Sequence, residues 1–134
     1  LFLVGADATT EPERLQRAYG AANGLMAAFH RNILVRLNRE LGADFDLDNF
    51  RHAITLCPDP LRVEAHLVAH RPATYRLGGA SIAFAAAEHV RTDTSHKYTP
   101  AAFQALAIQS GWQPRGLWQA EGGSFALHLL ESLG

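Results

Sequence analysis

The 134 residues amount to about one domain, and 48% hydrophobic with 19% charged residues is the composition of an ordinary globular protein. Twelve basic and thirteen acidic residues give a net charge of −1, so we expect neither nucleic acid nor a membrane surface as a partner. No apolar run is long enough to span a membrane. The one cysteine, Cys57, cannot form an internal disulfide, which favours a cytoplasmic protein.

The first part of the chain predicts a strand followed by a helix. The apolar run 1–4 is typical of a strand buried on both faces of a parallel sheet. Such a strand needs neighbours, and the chain supplies few, so we expect it to be the C-terminal part of a larger domain. The apolar face predicted for the helix consists of Leu15, Ala18, Tyr19 and Ala22. Gly20 and the pair Asn23-Gly24 predict a break after it.

A second helix is predicted up to Gly42, a residue type that commonly ends helices. Apolar side chains follow one another at a four-residue step along it: Leu25, Phe29, Ile33, Leu37 and Leu41. We expect this stripe to be the face that packs on the rest of the domain.

From residue 50 onward the hydrophobic period changes to two, which predicts strands. Alternation is clear over 63–69, and Gly78-Gly79 predicts a hairpin turn. Four or five successive strands joined by short turns favour an antiparallel sheet covered by the helices on one face. A helix from Pro100 and two last strands, near 115–118 and 125–130, complete the prediction.

The strand predicted over 90–98 carries the most chemistry. Alternation puts four polar residues on one face: Arg91, Asp93, Ser95 and Lys97. A solvated edge strand would show the same pattern, but a carboxylate and a hydroxyl two residues apart can also bind an imidazole or an ammonium group. Asp93 and Ser95 are therefore candidate ligand-binding residues. Tyr19 on its apolar helix face needs a hydrogen-bond partner, either in the core or on a ligand.

The residues do not predict a metal site. His66 and His70, on a strand, would lie roughly 13 Å apart, too far to share one ion. The other histidines have no ligand spacing. The sequence contains no P-loop, dinucleotide fingerprint or serine-hydrolase motif. Cys57 has no neighbour in sequence that would activate its thiol.

Stretches spread along the whole chain form a pattern shared with a known family. They are Ala18-Tyr19, residues 28–34, 38–46, 62–67 and 91–98, and Gly111-Trp112. Together they resemble the histidine-specific N-methyltransferases of ergothioneine biosynthesis, and the string Asn-Arg-Glu-Leu-Gly-Ala-Asp-Phe over 38–45 is typical of that family. Members use S-adenosylmethionine to trimethylate the α-amine of histidine, which gives hercynine.

The resemblance implies an α/β fold class, namely the C-terminal part of a Rossmann-like methyltransferase fold with an inserted α+β antiparallel-sheet substrate domain. Residues 1–8 and 99–134 would supply the terminal strands and helix of the Rossmann-like domain, and residues 9–98 the substrate-recognition domain. S-adenosylmethionine would be bound mainly by residues upstream of this chain, which itself would hold no cofactor-binding residue. The missing N-terminal part of the enzyme and a small amino-acid substrate are the expected partners, and the chain alone would be inactive.

Carried over residue by residue, the family's substrate tyrosine falls on Tyr19 and its imidazole-binding pair on Asp93 and Ser95, while no catalytic residue is assigned. The family has a glutamate in place of Asp93 and usually a methionine in place of Ala65. Both departures enlarge the pocket. Two alternatives therefore stay open: an N-methyltransferase for another aromatic amino acid, such as tryptophan or tyrosine, and a non-catalytic amino-acid-binding module.

Overall fold

A computed structural model describes residues 1–21 and 24–133 of the chain. The helices in this part are α1 (Pro12–Tyr19), α2 (Leu25–Leu41) and α3 (Pro100–Gln109). The strands are β1 (Phe2–Asp7), β2 (Phe50–Pro58), β3 (Leu61–Ala69), β4 (Ala73–Leu77), β5 (Ala80–Phe84), β6 (His89–His96), β7 (Trp112–Gln119) and β8 (Phe125–Ser132). Gly20 and Gly24 flank the predicted break between α1 and α2. Ala22 and Asn23, which entered those predictions, lie outside the described residues.

Strands from the two ends of the chain form one sheet, and strands from its middle form another. In the first, β8 lies between β1 and β7 and is antiparallel to both. In the second, β3 lies between β2 and β6 and is antiparallel to both. The expectation of a single middle sheet with four or five strands is wrong, because β4 and β5 pair only with each other. At the end of β3, the backbone N–H and C=O of Ala69 form hydrogen bonds with residues 88 and 87, which precede β6, and not with the β4–β5 hairpin.

The strand predicted at the start of the chain is present, but its surroundings differ from the prediction. β1 pairs antiparallel with β8 along its whole length, not parallel with a neighbour. Phe2 and Leu3, which project to opposite faces of the strand, are 51% and 60% exposed. The expected burial of both faces is therefore not found within the described residues, where β1 has β8 at one edge.

The core lies between α2 and the β2–β3–β6 sheet. The alternation predicted for β3 is confirmed, since its inward side chains are almost completely buried: Val63, Ala65, Leu67 and Ala69. An aromatic cluster fills the space between this sheet, α2 and the β4–β5 hairpin: Phe45, Phe50, Tyr75 and Phe84. The buried side-chain amide of Asn49 donates to the Tyr75 hydroxyl at 2.9 Å, so the polar edge of the cluster is hydrogen-bonded.

The α2 helix ends at Gly42 in the left-handed conformation, as predicted, but it packs with a different face. Its buried side chains are Ala27, His30 and Leu34. Most of the predicted stripe is exposed instead: Leu25, Phe29, Ile33 and Leu41. Four residues advance a helix by about 400°, so a four-residue stripe winds away from any fixed face by about 40° at each step. The prediction of the packing face was wrong for this reason.

Substitution of Phe50 tests which residues form the core. Phe50 is 2% exposed and packs edge-to-face on Phe84 at 5.3 Å between ring centroids. Phe50→Ala leaves a cavity and should lower the free energy of unfolding by about 3–5 kcal/mol, as measured by urea denaturation. The matched control is Phe29→Ala, where the ring is 66% exposed and the loss should stay below about 0.5 kcal/mol. Equal losses would contradict the assigned core.

Candidate functional site

The two candidate residues on β6 lie on the face of the sheet that the helices cover. Asp93 pairs with Ala65 and Ser95 pairs with Val63, and both partners on β3 are 2% exposed beneath the helices. Because side chains alternate along a regular strand, Asp93 and Ser95 project to the same side as these buried neighbours. The covered face therefore carries a carboxylate and a hydroxyl two residues apart.

A bulge in β6 separates Arg91 from this pair. The register shifts between Ala65 and His66, so that Arg91 pairs with His66 and Thr92 is the extra residue. Arg91 consequently lies on the opposite face, where its Nη1 donates to Glu64 Oε1 at 3.2 Å. The prediction that Arg91 shares a face with Asp93 and Ser95 is wrong, because a single inserted residue reverses the alternation.

Tyr19, the last residue of α1, lies against the end of β6. Its hydroxyl oxygen is 3.4 Å from Ser95 Oγ and accepts a hydrogen bond from Lys97 Nζ at 2.7 Å. Its backbone carbonyl oxygen is 2.8 Å from His52 Nε2, which fixes the end of α1 on β2. The hydrogen-bond partner that a half-buried tyrosine needs is thus found within the chain.

Lys97 is the residue whose importance the sequence did not indicate. It follows β6 directly, is 6% exposed, and donates to Asp7 Oδ2 at 2.7 Å as well as to Tyr19. Burial lowers the pKa of Lys97, but its hydrogen bonds with Asp7 and Tyr19 outweigh burial and leave that pKa raised. Burial raises the pKa of Asp7, but the bonds from Lys97 and Thr9 outweigh it and leave that pKa lowered. Both groups are therefore charged at neutral pH.

Asp93 lies further along the covered face, at a groove of about 630 Å³ between α2 and β6. Its side chain is exposed, and its Oδ1 accepts from the backbone N–H of Thr94 at 2.8 Å. Several of the groove-lining residues are apolar or aromatic: Phe29, His30, Ile33 and Leu37. The structure thus brings Tyr19 and Ser95 into contact and leaves Asp93 facing an open space large enough for an aromatic side chain.

Two buried histidines that the sequence did not single out stack on each other, and one of them, His30, lines the groove. His30 of α2 is 3% exposed and stacks on His52 of β2, with ring centroids 5.3 Å apart and planes at 3°. Its Nδ1 is 3.4 Å from the hydroxyl of Thr92, the bulge residue. Burial, and next the neighbouring His52, lower the pKa of His30, against a smaller opposite effect of Asp93. His30 is therefore neutral at pH 7 and joins α2 to the sheet without adding charge.

Charged residues also gather on the opposite face of the same sheet. Glu64 of β3 accepts from Arg62 at 2.8 Å and from Arg91 at 3.2 Å. The hydrogen bond from Arg62 holds the pKa of Glu64 below its usual range. Glu64 thus has two arginine partners on its own face of the sheet, whereas Arg91 has been turned away from Asp93.

Residues 1–21 and 24–133 contain neither a metal-binding group nor a helix that could span a membrane. In this part of the chain no group of three or more histidine, cysteine, aspartate or glutamate side chains could hold a metal ion. No helix among the same residues combines the length and the apolar character needed to cross a bilayer. Four polar side chains lie at the covered face, three from β6 and the residue after it and one from α1: Asp93, Ser95, Lys97 and Tyr19.

Comparison with known proteins identifies the family. A family model described as histidine-specific methyltransferase, SAM-dependent, matches residues 1–132. The histidine N-alpha-methyltransferase of Mycolicibacterium smegmatis is 38% identical over 130 residues, and that of Mycobacterium tuberculosis is 36% identical over 130 residues. Each match covers 96% of this chain and 40% of the relative, so the chain spans 40% of the length of the curated relatives it matches. The chain belongs to the histidine-specific, S-adenosylmethionine-dependent methyltransferase family.

Proposed function

We propose that this chain is the substrate-binding, C-terminal portion of an S-adenosylmethionine-dependent histidine N-alpha-methyltransferase. Tyr19, Asp93 and Ser95 would hold the amino acid. One observation carries the assignment: the Tyr19 hydroxyl is 3.4 Å from Ser95 Oγ, on the face of β6 that also carries Asp93, and Asp93 lines the groove. On the family resemblance the product would be trimethylhistidine, that is hercynine, in ergothioneine biosynthesis.

The chemistry of Asp93 and Ser95 suits an imidazole. A neutral imidazole has one N–H donor and one acceptor nitrogen, and an imidazolium has two donors. The Asp93 carboxylate accepts from such a donor through an oxygen that Thr94 does not use, and the Ser95 hydroxyl can donate or accept. The ring would then lie in the groove with its polar edge toward β6.

The division of the chain into two units is also a proposal. Residues 1–8 and 99–134 would complete a Rossmann-like methyltransferase domain, and residues 9–98 would form an inserted substrate domain. In support, one sheet takes its strands from both ends of the chain, whereas the other lies entirely between them. A unit inserted into a host domain has this arrangement, because the host strands must flank it in sequence.

The described residues do not themselves fit S-adenosylmethionine. No glycine-rich turn between a strand and a helix is found among them, and the segment after β1 leads into α1 through Thr9, Thr10, Glu11 and Pro12. The cofactor supplies the methyl group when it is bound, and the relatives' additional length is where we expect its site. The role of this chain would be to align the acceptor amine and to exclude water from it.

A second candidate substrate is another aromatic amino acid. Ala65 is buried and pairs with Asp93, and the short side chain of Asp93 lines a groove of about 630 Å³. The groove therefore has room for a ring larger than imidazole.

The role of Asp93 can be tested in the longer protein that contains this chain. Asp93→Ala removes the acceptor for the imidazole, and losing one partner of a charge-assisted hydrogen bond costs roughly 1.5–3 kcal/mol. Histidine binding measured by calorimetry should weaken by about 10- to 100-fold. Asp93→Glu should bind histidine at least as well as the parent, because the longer side chain reaches further. As a control, Glu121→Ala removes an exposed carboxylate far along the chain and should bind normally. Unchanged affinity in Asp93→Ala would refute the assignment.

Substrate identity can be decided by competition. Equal concentrations of histidine, tryptophan and tyrosine are incubated with the longer protein and S-adenosylmethionine, and the methylated products are quantified by mass spectrometry. We expect methylated histidine to dominate, because Asp93 and Ser95 provide polar partners that only its ring nitrogens fully use. Predominant methylation of tryptophan or tyrosine would establish the second candidate, and no methylation of any of them would refute the proposed function.

A further inference from the structure

Lys97 is the only lysine among twelve basic residues, the other eleven being arginines, and its side chain is 3% exposed. Its ammonium donates to Asp7 Oδ2 and to the Tyr19 hydroxyl, both at 2.7 Å, and lies 4.7 Å from the Tyr19 ring centroid. A buried cation is costly unless its hydrogen bonds are satisfied. The compact ammonium, with three rotatable donors, meets both of these partners at once.

The bond from Lys97 determines how the Tyr19 hydroxyl can act. A lysine ammonium has donors only, so the Tyr19 oxygen is the acceptor in this contact. The single O–H of the tyrosine must then point elsewhere. Its neighbour Ser95 Oγ is 3.4 Å away, at the long end of hydrogen-bond distances. A closer and stronger acceptor, such as a carboxylate oxygen of a bound amino acid, would take this proton.

The backbone around the contact is held on several sides. The N–H of Lys97 donates to the Leu61 carbonyl at 2.9 Å, and Asp7 Oδ1 accepts from the N–H of Thr9 at 3.0 Å. Asp7 ends β1 of one sheet, while Lys97 follows β6 of the other. The position of the Tyr19 hydroxyl is therefore set by both sheets at once.

We propose that Lys97 is a positioning residue of the substrate site: with Asp7 as its counter-ion, it fixes the Tyr19 hydroxyl as a hydrogen-bond donor toward the α-carboxylate of the amino acid. This inference rests on the proposed function. Lys97 acts through Tyr19 and need not touch the substrate. The raised pKa of Lys97, which its hydrogen bonds with Asp7 and Tyr19 cause against the effect of burial, keeps the donor charged in the working pH range.

The experiment uses the longer protein and separates positioning from structural support. Lys97→Met removes the ammonium but keeps the length of the side chain. We expect the KM for histidine to rise by about 10- to 100-fold, which corresponds to the loss of a hydrogen bond to a charged group, with unchanged affinity for S-adenosylmethionine by calorimetry. Arg115→Met, which removes an exposed cation paired with Glu131, is the matched control and should leave both values unchanged.

A double-mutant cycle tests whether Lys97 acts through Tyr19. If it does, Tyr19→Phe combined with Lys97→Met raises the KM no more than the more severe single variant. Losses that multiply, or an unchanged KM in Lys97→Met, would overturn the inference. Should Lys97→Met fail to fold because Asp7 is left unpaired, Asp7→Asn with Lys97→Met removes both charges and is measured in its place.

The parent protein distinguishes the two possible failures. A parent that neither binds nor methylates histidine or another aromatic amino acid overturns the proposed function, and the role of Lys97 falls with it. A parent that methylates histidine normally, with Lys97→Met equally active, overturns the role of Lys97 alone.

Discussion

A lysine ammonium buried between a carboxylate and a phenol is the interaction on which the described site depends. Taking an ammonium out of water costs several kcal/mol, and only short hydrogen bonds with a nearby counter-ion offset that cost. Lys97 has both, at 2.7 Å to Asp7 and 2.7 Å to Tyr19. Because Asp7 ends β1 and Lys97 follows β6, the pair joins the sheet built from the chain ends to the sheet built from its middle. The end of α1 is held at that junction.

The bulge at Thr92 determines whether the negative charge of Asp93, at the other end of the site, has a cation beside it. In a regular strand Arg91 would lie beside Asp93 on the covered face and would neutralise it. The extra residue turns Arg91 to the opposite face, where Glu64 takes it as a partner. Asp93 is thus left without a cation from its own strand. Its carboxylate is available to a ligand because the inserted residue, Thr92, turns Arg91 away from it.

Local patterns in the sequence were sufficient for the strands and turns but not for the packing that builds the site. The alternation of β3 and the glycine at 42 act over a few residues, and both predictions are confirmed. The α2 face was mispredicted because a four-residue apolar step drifts around a helix whose true buried face centres on His30 and Leu34. No local pattern relates Asp7 to Lys97, which lie 90 positions apart and meet only through tertiary structure.

On the proposed function, a donor at one end of the covered face and an acceptor at the other would select the orientation of a bound amino acid. The Tyr19 hydroxyl, whose oxygen accepts from the buried Lys97, has its own O–H to donate at one end, and Asp93 presents an acceptor at the other. A substrate turned end to end would set its carboxylate against Asp93, where like charges repel. With both ends fixed in this way, the α-amine would lie between them, and only its approach to the methyl donor would remain to be set. The family resemblance implies a glutamate at the position of Asp93, and the shorter side chain would loosen the side-chain end alone, so that a broader choice of ring would leave the alignment of the amine undisturbed.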